Sequence, residues 1–130
     1  MPDKMNETGI QNAIRMVVSM LKGRVFRNNV GTVRHADGSV FPYGLGTGTS
    51  DLVGWYPVVV TPDMVGRRVA VFLAVEVKKE NHKTKSERLA KQMHFLEQVV
   101  ESGGIGVMCD DESRVEGLIK RSLIEKIVAK

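Results

Sequence analysis

The chain is short of cysteine, of long apolar runs and of targeting signals. Cys109 is the only cysteine among 130 residues, so the chain can build neither a disulfide framework nor a cysteine metal site. A lone cysteine of this kind is expected to be a small buried apolar residue. No apolar run approaches the roughly 20 residues that cross a bilayer, and the first residues lack a signal-peptide pattern. No membrane partner is expected, and the expected location is cytoplasmic. There is no repeat, no low-complexity tract and no linker, so residues 1–130 are expected to form a single domain. A Gly-rich stretch does occur, from Gly44 to Asp51, but neither Gly-Lys-Ser/Thr nor a helix follows it, which excludes a Walker-type nucleotide loop.

What is present is the composition of a globular protein, with 42% hydrophobic and 26% charged residues. The net charge of +4 permits a polyanionic partner without demanding one.

The chain is organised around Gly48 to Lys79. Val58 to Val60 and Val69 to Val77 are apolar and β-branched, and Pro62 and Gly66 mark a turn between them. The simplest expectation is an antiparallel hairpin in which Val60 pairs with Val69. That register sets Asp51 opposite Lys78 and Val53 opposite Glu76, so Asp51, Glu76 and Lys78 would share one face at one end. Carboxylates suit Mg²⁺ or Mn²⁺, and a lysine beside them can orient water or stabilise charge. An isolated Glu76–Lys78 pair is also what a surface salt bridge looks like, and such a bridge stabilises little.

Asn6 is placed to cap a helix running to about Lys22 and ending at Gly23, with Ile10, Ala13, Ile14, Val17, Val18 and Leu21 as its apolar stripe. Glu7 in its first turn complements the helix dipole, the plainer reading, or is an extra carboxylate leaning toward the metal site. Arg24 to Val33 reads as a strand with an irregularity near Asn28 and Asn29. His35 to Gly38 forms an Asp-Gly turn, and Val40 to Tyr43 returns. Arg27, Asn28 and Asn29 can contact a DNA backbone, or can be plain exposed loop residues. Lys83 and Lys85 carry the same two readings. Thr84 or Ser86 is expected to cap a second helix with Leu89, Met93, Leu96 and Val100 facing the core and Gln92 beside them. Gly103 and Gly104 end it. Ile105 to Cys109 is a short buried strand, and Asp110 or Asp111 starts the last helix. The order is helix, strands, helix, strand, helix, a mixed α/β fold in which the second helix makes a parallel crossover.

Four motifs in order resemble the VRR-NUC branch of the PD-(D/E)xK nuclease superfamily. They are Gly48-Thr49-Ser50-Asp51-Leu52-Val53-Gly54, Phe72-Leu73-Ala74-Val75-Glu76-Val77-Lys78, Gln92 with Phe95-Leu96, and Gly103-Gly104. The likeness covers about Asn6 to Asp111 and is closest to small stand-alone phage and bacterial members. It implies a restriction-endonuclease-like mixed sheet flanked by helices, in the order α-β-β-β-α-β-α. It implies Mg²⁺- or Mn²⁺-dependent hydrolysis of DNA phosphodiester bonds. Asp51, Glu76 and the Val77 carbonyl are implied as metal ligands, Lys78 as the catalytic lysine, and Gln92 on the following helix as a support of the site. Glu7 gains a role near the metal. A homodimer acting on branched, Holliday-junction-like DNA is also implied. Ser50 stands where the superfamily has proline. The alternative is a nuclease fold that binds DNA junctions without cutting, or cuts only with a partner.

Overall fold

The computed structural model describes residues 6–78 and 85–128, with side chains to residue 123. The elements are α1 (Glu7–Met20), β1 (Arg24–Arg27), β2 (Gly31–Arg34), β3 (Val40–Tyr43), β4 (Leu52–Trp55), β5 (Leu73–Val77), α2 (Ser86–Glu101), β6 (Ile105–Cys109) and α3 (Val115–Val128). Short 3₁₀ turns lie at Pro62–Met64 and Glu112–Arg114. The fold is mixed α/β, with five strands between the first two helices. The chain divides into two compact units, Met1–Val59 and Val60–Lys130.

In the first unit, Asn6 Oδ1 accepts the Gly9 N–H at 2.8 Å and so satisfies an orphan donor of α1. The helix does not end as the sequence suggested. Lys22 takes the left-handed conformation, with φ of 72°. Gly23 serves a different need: a Cβ there would lie 2.8 Å from the Trp55 carbonyl oxygen, so the position requires hydrogen for packing. The irregularity at Asn28 divides one expected strand into two with different partners. β1 pairs antiparallel with β4, and β2 pairs antiparallel with β3. The β2–β3 turn is closed by the His35 N–H donating to the Ser39 carbonyl at 2.8 Å, with Gly38 at φ of 90°. α1 packs on β1.

In the second unit β5 and β6 are parallel, joined through α2 as expected, with Leu73 opposite Ile105 and Glu76 opposite Met108. β6 is short, apolar and covered on both sides. Ile105, Val107 and Cys109 are buried on one face. On the other face, a Cβ at Gly106 would lie 2.7 Å from the Leu96 carbonyl oxygen, so glycine lets α2 approach the strand closely. Leu96 and Val99 are the buried residues of α2, each contributing about 1.5–3 kcal/mol of apolar burial. The expected stripe is therefore rotated: Leu89, Met93 and Val100 are exposed. Lys85 stands at the N-cap position with no side-chain bond, and Ser86 is already helical. Thr84 lies outside the described residues. The last helix is preceded by the 3₁₀ turn that Asp111 opens.

The expected hairpin between residues 58–60 and 69–77 is not formed. Val53 pairs with Phe26 and Glu76 with Met108, so Asp51 and Lys78 are not cross-strand neighbours. Val58 to Val60 pair with nothing regular, and Val59 is 87% exposed. Pro57 and Pro62 bracket this run and offer no N–H to a ladder. β-branched residues favour a strand only where a partner and a covered face exist.

Candidate functional site

Residues predicted to act together are distributed over both units. In the second unit, β5 presents an inverted pattern. Leu73, Val75 and Val77 are exposed, while Ala74, Glu76 and Lys78 lie on the more sheltered face. By strand register that face also carries Gly106 and Met108, the side on which α2 packs. Lys78 Nζ lies 3.5 Å from Glu76 Oε1, with side chains only 20% and 28% exposed. The Lys78 N–H donates to the Cys109 carbonyl at 3.0 Å, which fixes the backbone just past the end of β5. An ion pair this sheltered differs from the largely solvated Lys91–Glu87 and Lys120–Glu116 pairs on the helix surfaces.

Gln92 belongs to the same layer. Its Oε1 is buried and, among the described residues, has no hydrogen-bond partner. A buried amide oxygen without a donor costs about 1–3 kcal/mol, so it marks a position where a donor or a cation is wanted. Val99 lies over Gly104 and Leu96 over Gly106. Moving toward the start of α2 therefore climbs β6 toward its carboxyl end. The next residue on that line of the helix is Gln92, one turn before Leu96 and so further toward that end. The rotation of the buried stripe from Met93 toward Gln92 brings the amide inward.

In the first unit, Asp51 immediately precedes β4 and is exposed. Its carbonyl accepts the Asn28 N–H at 2.8 Å. An open cleft of about 730 Å³ is lined by Asn28, Asn29, Tyr43, Thr47, Thr49 and Asp51, among others. The cleft holds hydroxyls, amides and one carboxylate. Gly46 and Gly48 adopt φ of 104° and 86°, so the loop needs glycine for its path. Glu7 is exposed in the first turn of α1. The Arg27 guanidinium donates to Asn12 Oδ1 at 3.0 Å, which ties β1 to α1. Asn28 spends its amide within the loop. Asn29 is exposed at the cleft. Lys85 is exposed at the start of α2, and Lys83 lies outside the described residues.

A second cleft in this unit, about 450 Å³, is lined by Asn12, Arg15, Ser19 and Arg24, among others. Arg15 and Arg24 belong to different elements, so nothing in their spacing along the chain marks them as neighbours. Only the packing of α1 on β1 brings their charges to one groove.

Among the described residues, no three His, Cys, Asp or Glu side chains converge on a point that one ion could occupy. A hard divalent cation would draw on carboxylates together with amide and backbone oxygens, and Glu76 with the unpartnered Gln92 Oε1 offers donors of that type. The donor chemistry fits magnesium or manganese. Among the described residues no helix is long and apolar enough to cross a membrane.

The family profile described as the VRR-NUC domain matches residues 6–111. Comparison with curated proteins and with solved structures gave no significant match.

Proposed function

The chain belongs to the VRR-NUC family of nuclease-type enzymes, and we propose that it is a Mg²⁺- or Mn²⁺-dependent DNA endonuclease. The observation that carries this reading is the sheltered Glu76–Lys78 pair at the carboxyl end of β5, on the face that α2 covers; α2 also carries the buried Gln92 Oε1, which has no hydrogen-bond partner among the described residues. The family match begins in the first unit and ends in the second, across the boundary at Val59, which supports reading both units as one nuclease domain.

Asp51, Glu76 and the Val77 carbonyl are the groups that would hold the metal, with Glu7 as a further carboxylate. A bound divalent ion supplies a water of lowered pKa and neutralises charge on a phosphate. The chain's own residues do the rest. The Lys78 ammonium donates to the phosphate oxygens as negative charge builds there, when water bonds to phosphorus and the bond to the leaving oxygen breaks. Glu76 holds that ammonium in place from two residues away on the same face. Gln92 Oε1, unpartnered among the described residues, is available to accept a hydrogen bond from the attacking water or from a reoriented Lys78. Arg27, Asn29, Lys83 and Lys85 are the candidate contacts to the phosphate backbone. The substrate is branched, Holliday-junction-like DNA, and a homodimer offers one site to each of two strands.

The test is cleavage of labelled four-way junction, flap, single-stranded and linear duplex DNA in Mg²⁺, Mn²⁺ and EDTA. Lys78→Ala is expected to lower the rate by about 10²–10³-fold while calorimetric Mn²⁺ binding persists. Asp51→Ala is expected to lose both, and unchanged Mn²⁺ binding in that variant removes Asp51 from the ligand set. Junction binding without cleavage under any metal would leave a DNA-binding module on a nuclease fold. A monomer by light scattering at working concentration removes the dimer.

A further inference from the structure

We infer that Asn28 is a positioning residue: its carboxamide staples the glycine-rich loop so that Asp51 is held ready before any metal or DNA arrives. The inference rests on the reading of Asp51 as a metal ligand and adds a residue that acts through it.

Asn28 follows the last residue of β1, at the point where the strand breaks. Its main-chain N–H donates to the Asp51 carbonyl at 2.8 Å, extending the β1–β4 ladder by one bond. Its side chain then reaches across the loop. Nδ2 donates to the Ser50 carbonyl and to Thr49 Oγ1, both at 2.8 Å. Oδ1 accepts the Leu45 N–H at 3.0 Å. One residue thus grips positions 45, 49, 50 and 51.

Thr49 passes the grip onward, because its Oγ1 donates to the Gly46 carbonyl at 2.6 Å. Ser50 Oγ donates to the Leu52 carbonyl at 3.0 Å, which secures the far side of Asp51. Such a clamp has a physical reason to exist. Gly46 and Gly48 both take left-handed φ, and glycine loses more backbone entropy than any other residue when it is fixed. Left alone, this loop would carry Asp51 through many positions. A metal ligand that must first be ordered binds more weakly, whereas one already held does not bear that cost.

Only a carboxamide serves here. It supplies two donors and an acceptor in one plane. Aspartate would set oxygen against the Ser50 carbonyl, and alanine makes none of the three side-chain bonds. With its donors and acceptor committed to the loop, the Asn28 amide acts as a brace and not as a DNA contact.

The experiment compares the unaltered chain with Asn28→Ala, Thr49→Val and Thr49→Ser. Three quantities are read: steady-state cleavage of labelled four-way junction DNA in Mn²⁺, Mn²⁺ titration calorimetry, and amide hydrogen exchange of Leu45 in metal-free protein. Asn28→Ala is expected to speed Leu45 exchange and to lower Mn²⁺ affinity and kcat by roughly 10–100-fold, with KM for DNA nearly unchanged. Thr49→Val should move the same way by less, and Thr49→Ser, which keeps the hydroxyl, should restore the unaltered values. The Thr49 pair carries the test if Asn28→Ala does not fold. Faster Leu45 exchange with unchanged kcat and Mn²⁺ affinity overturns the inference and leaves the nuclease reading standing. A raised KM with unchanged kcat makes Asn28 a DNA contact and likewise overturns it. If the unaltered chain neither cleaves nor binds Mn²⁺, the nuclease reading fails and takes the inference with it.

Discussion

The buried hydrophobic side chains, Leu96, Val99, Ile105, Val107 and Cys109, all belong to the second unit, whereas Gly23 is the one buried residue described in the first. The second unit is built by apolar packing: a parallel strand pair with a helix pressed onto Gly104 and Gly106. The first is built by hydrogen bonds: two antiparallel ladders, the Asn6 cap, the Arg27–Asn12 bond and the Asn28 clamp. Ile10, Ile14, Val17 and Leu21 of α1, which the sequence marks as a core stripe, are exposed. A packed core holds a lysine and a carboxylate at a strand end with little freedom. A hydrogen-bonded loop holds a carboxylate only as well as its individual bonds do. The two halves of the proposed site are thus fixed by different forces, and they should fail differently.

The largest break in this comparison comes from the core. Leu96→Ala removes a side chain that is 7% exposed and leaves a cavity beneath α2, at an expected cost of about 2–5 kcal/mol. Ile14→Ala, at a position 46% exposed, should cost less than about half as much. Urea unfolding of both variants measures the difference, and equal losses would show that the first unit depends on apolar packing as strongly as the second. Next comes Gly54→Ala, because a Cβ at Gly54 would meet the Arg24 carbonyl across the β1–β4 ladder. It should cost roughly 1–3 kcal/mol and speed amide exchange in β1 and β4. Unchanged protection there would argue that backbone pairing does not hold the first unit.

A smaller effect is expected from Asn6→Ala, which deletes the bond to the Gly9 N–H and should cost about 1 kcal/mol. Circular dichroism on thermal unfolding reads it. The smallest is a pH effect at Asp37. Ser39 donates both its O–H and its N–H to Oδ1, and these bonds hold the Asp37 carboxyl below its ordinary pKa. Since the folded value is the lower one, the stabilisation is present above about pH 4 and is lost as pH falls through the folded value. An NMR titration of Asp37 should therefore show a midpoint below that of an unstructured aspartate. A midpoint at or above that of the unstructured residue would remove the clamp from the β2–β3 turn.

Local chemistry was legible in the sequence. Asn6 as a cap, the Asp-Gly turn at Asp37-Gly38, the helix end at Gly103 and the buried strand around Val107 each depend on residues close in the chain. The parallel crossover followed from a helix between two apolar strands. The hairpin was not legible, because β-branched runs at Val58 and Val69 satisfy strand propensity without naming a partner. Strand pairing is a choice among competitors, and β1 and β6 won. Glu76 and Lys78 stood out as charges inside an apolar strand. Asn28 did not, since an asparagine in a break looks the same whether it braces a loop or lies free.

The sequence by itself determined the family and the mixed α/β class, because these follow from residue type, spacing and periodicity. The tertiary structure alone decided that β4 pairs with β1, that Gln92 turns inward with an oxygen unpartnered among the described residues, that the face of β5 bearing Glu76 and Lys78 is the sheltered one, and that Asn28 grips four positions of the Asp51 loop. These depend on contacts between residues far apart in the chain, and no local signal encodes the partner of a hydrogen bond made across 22 residues.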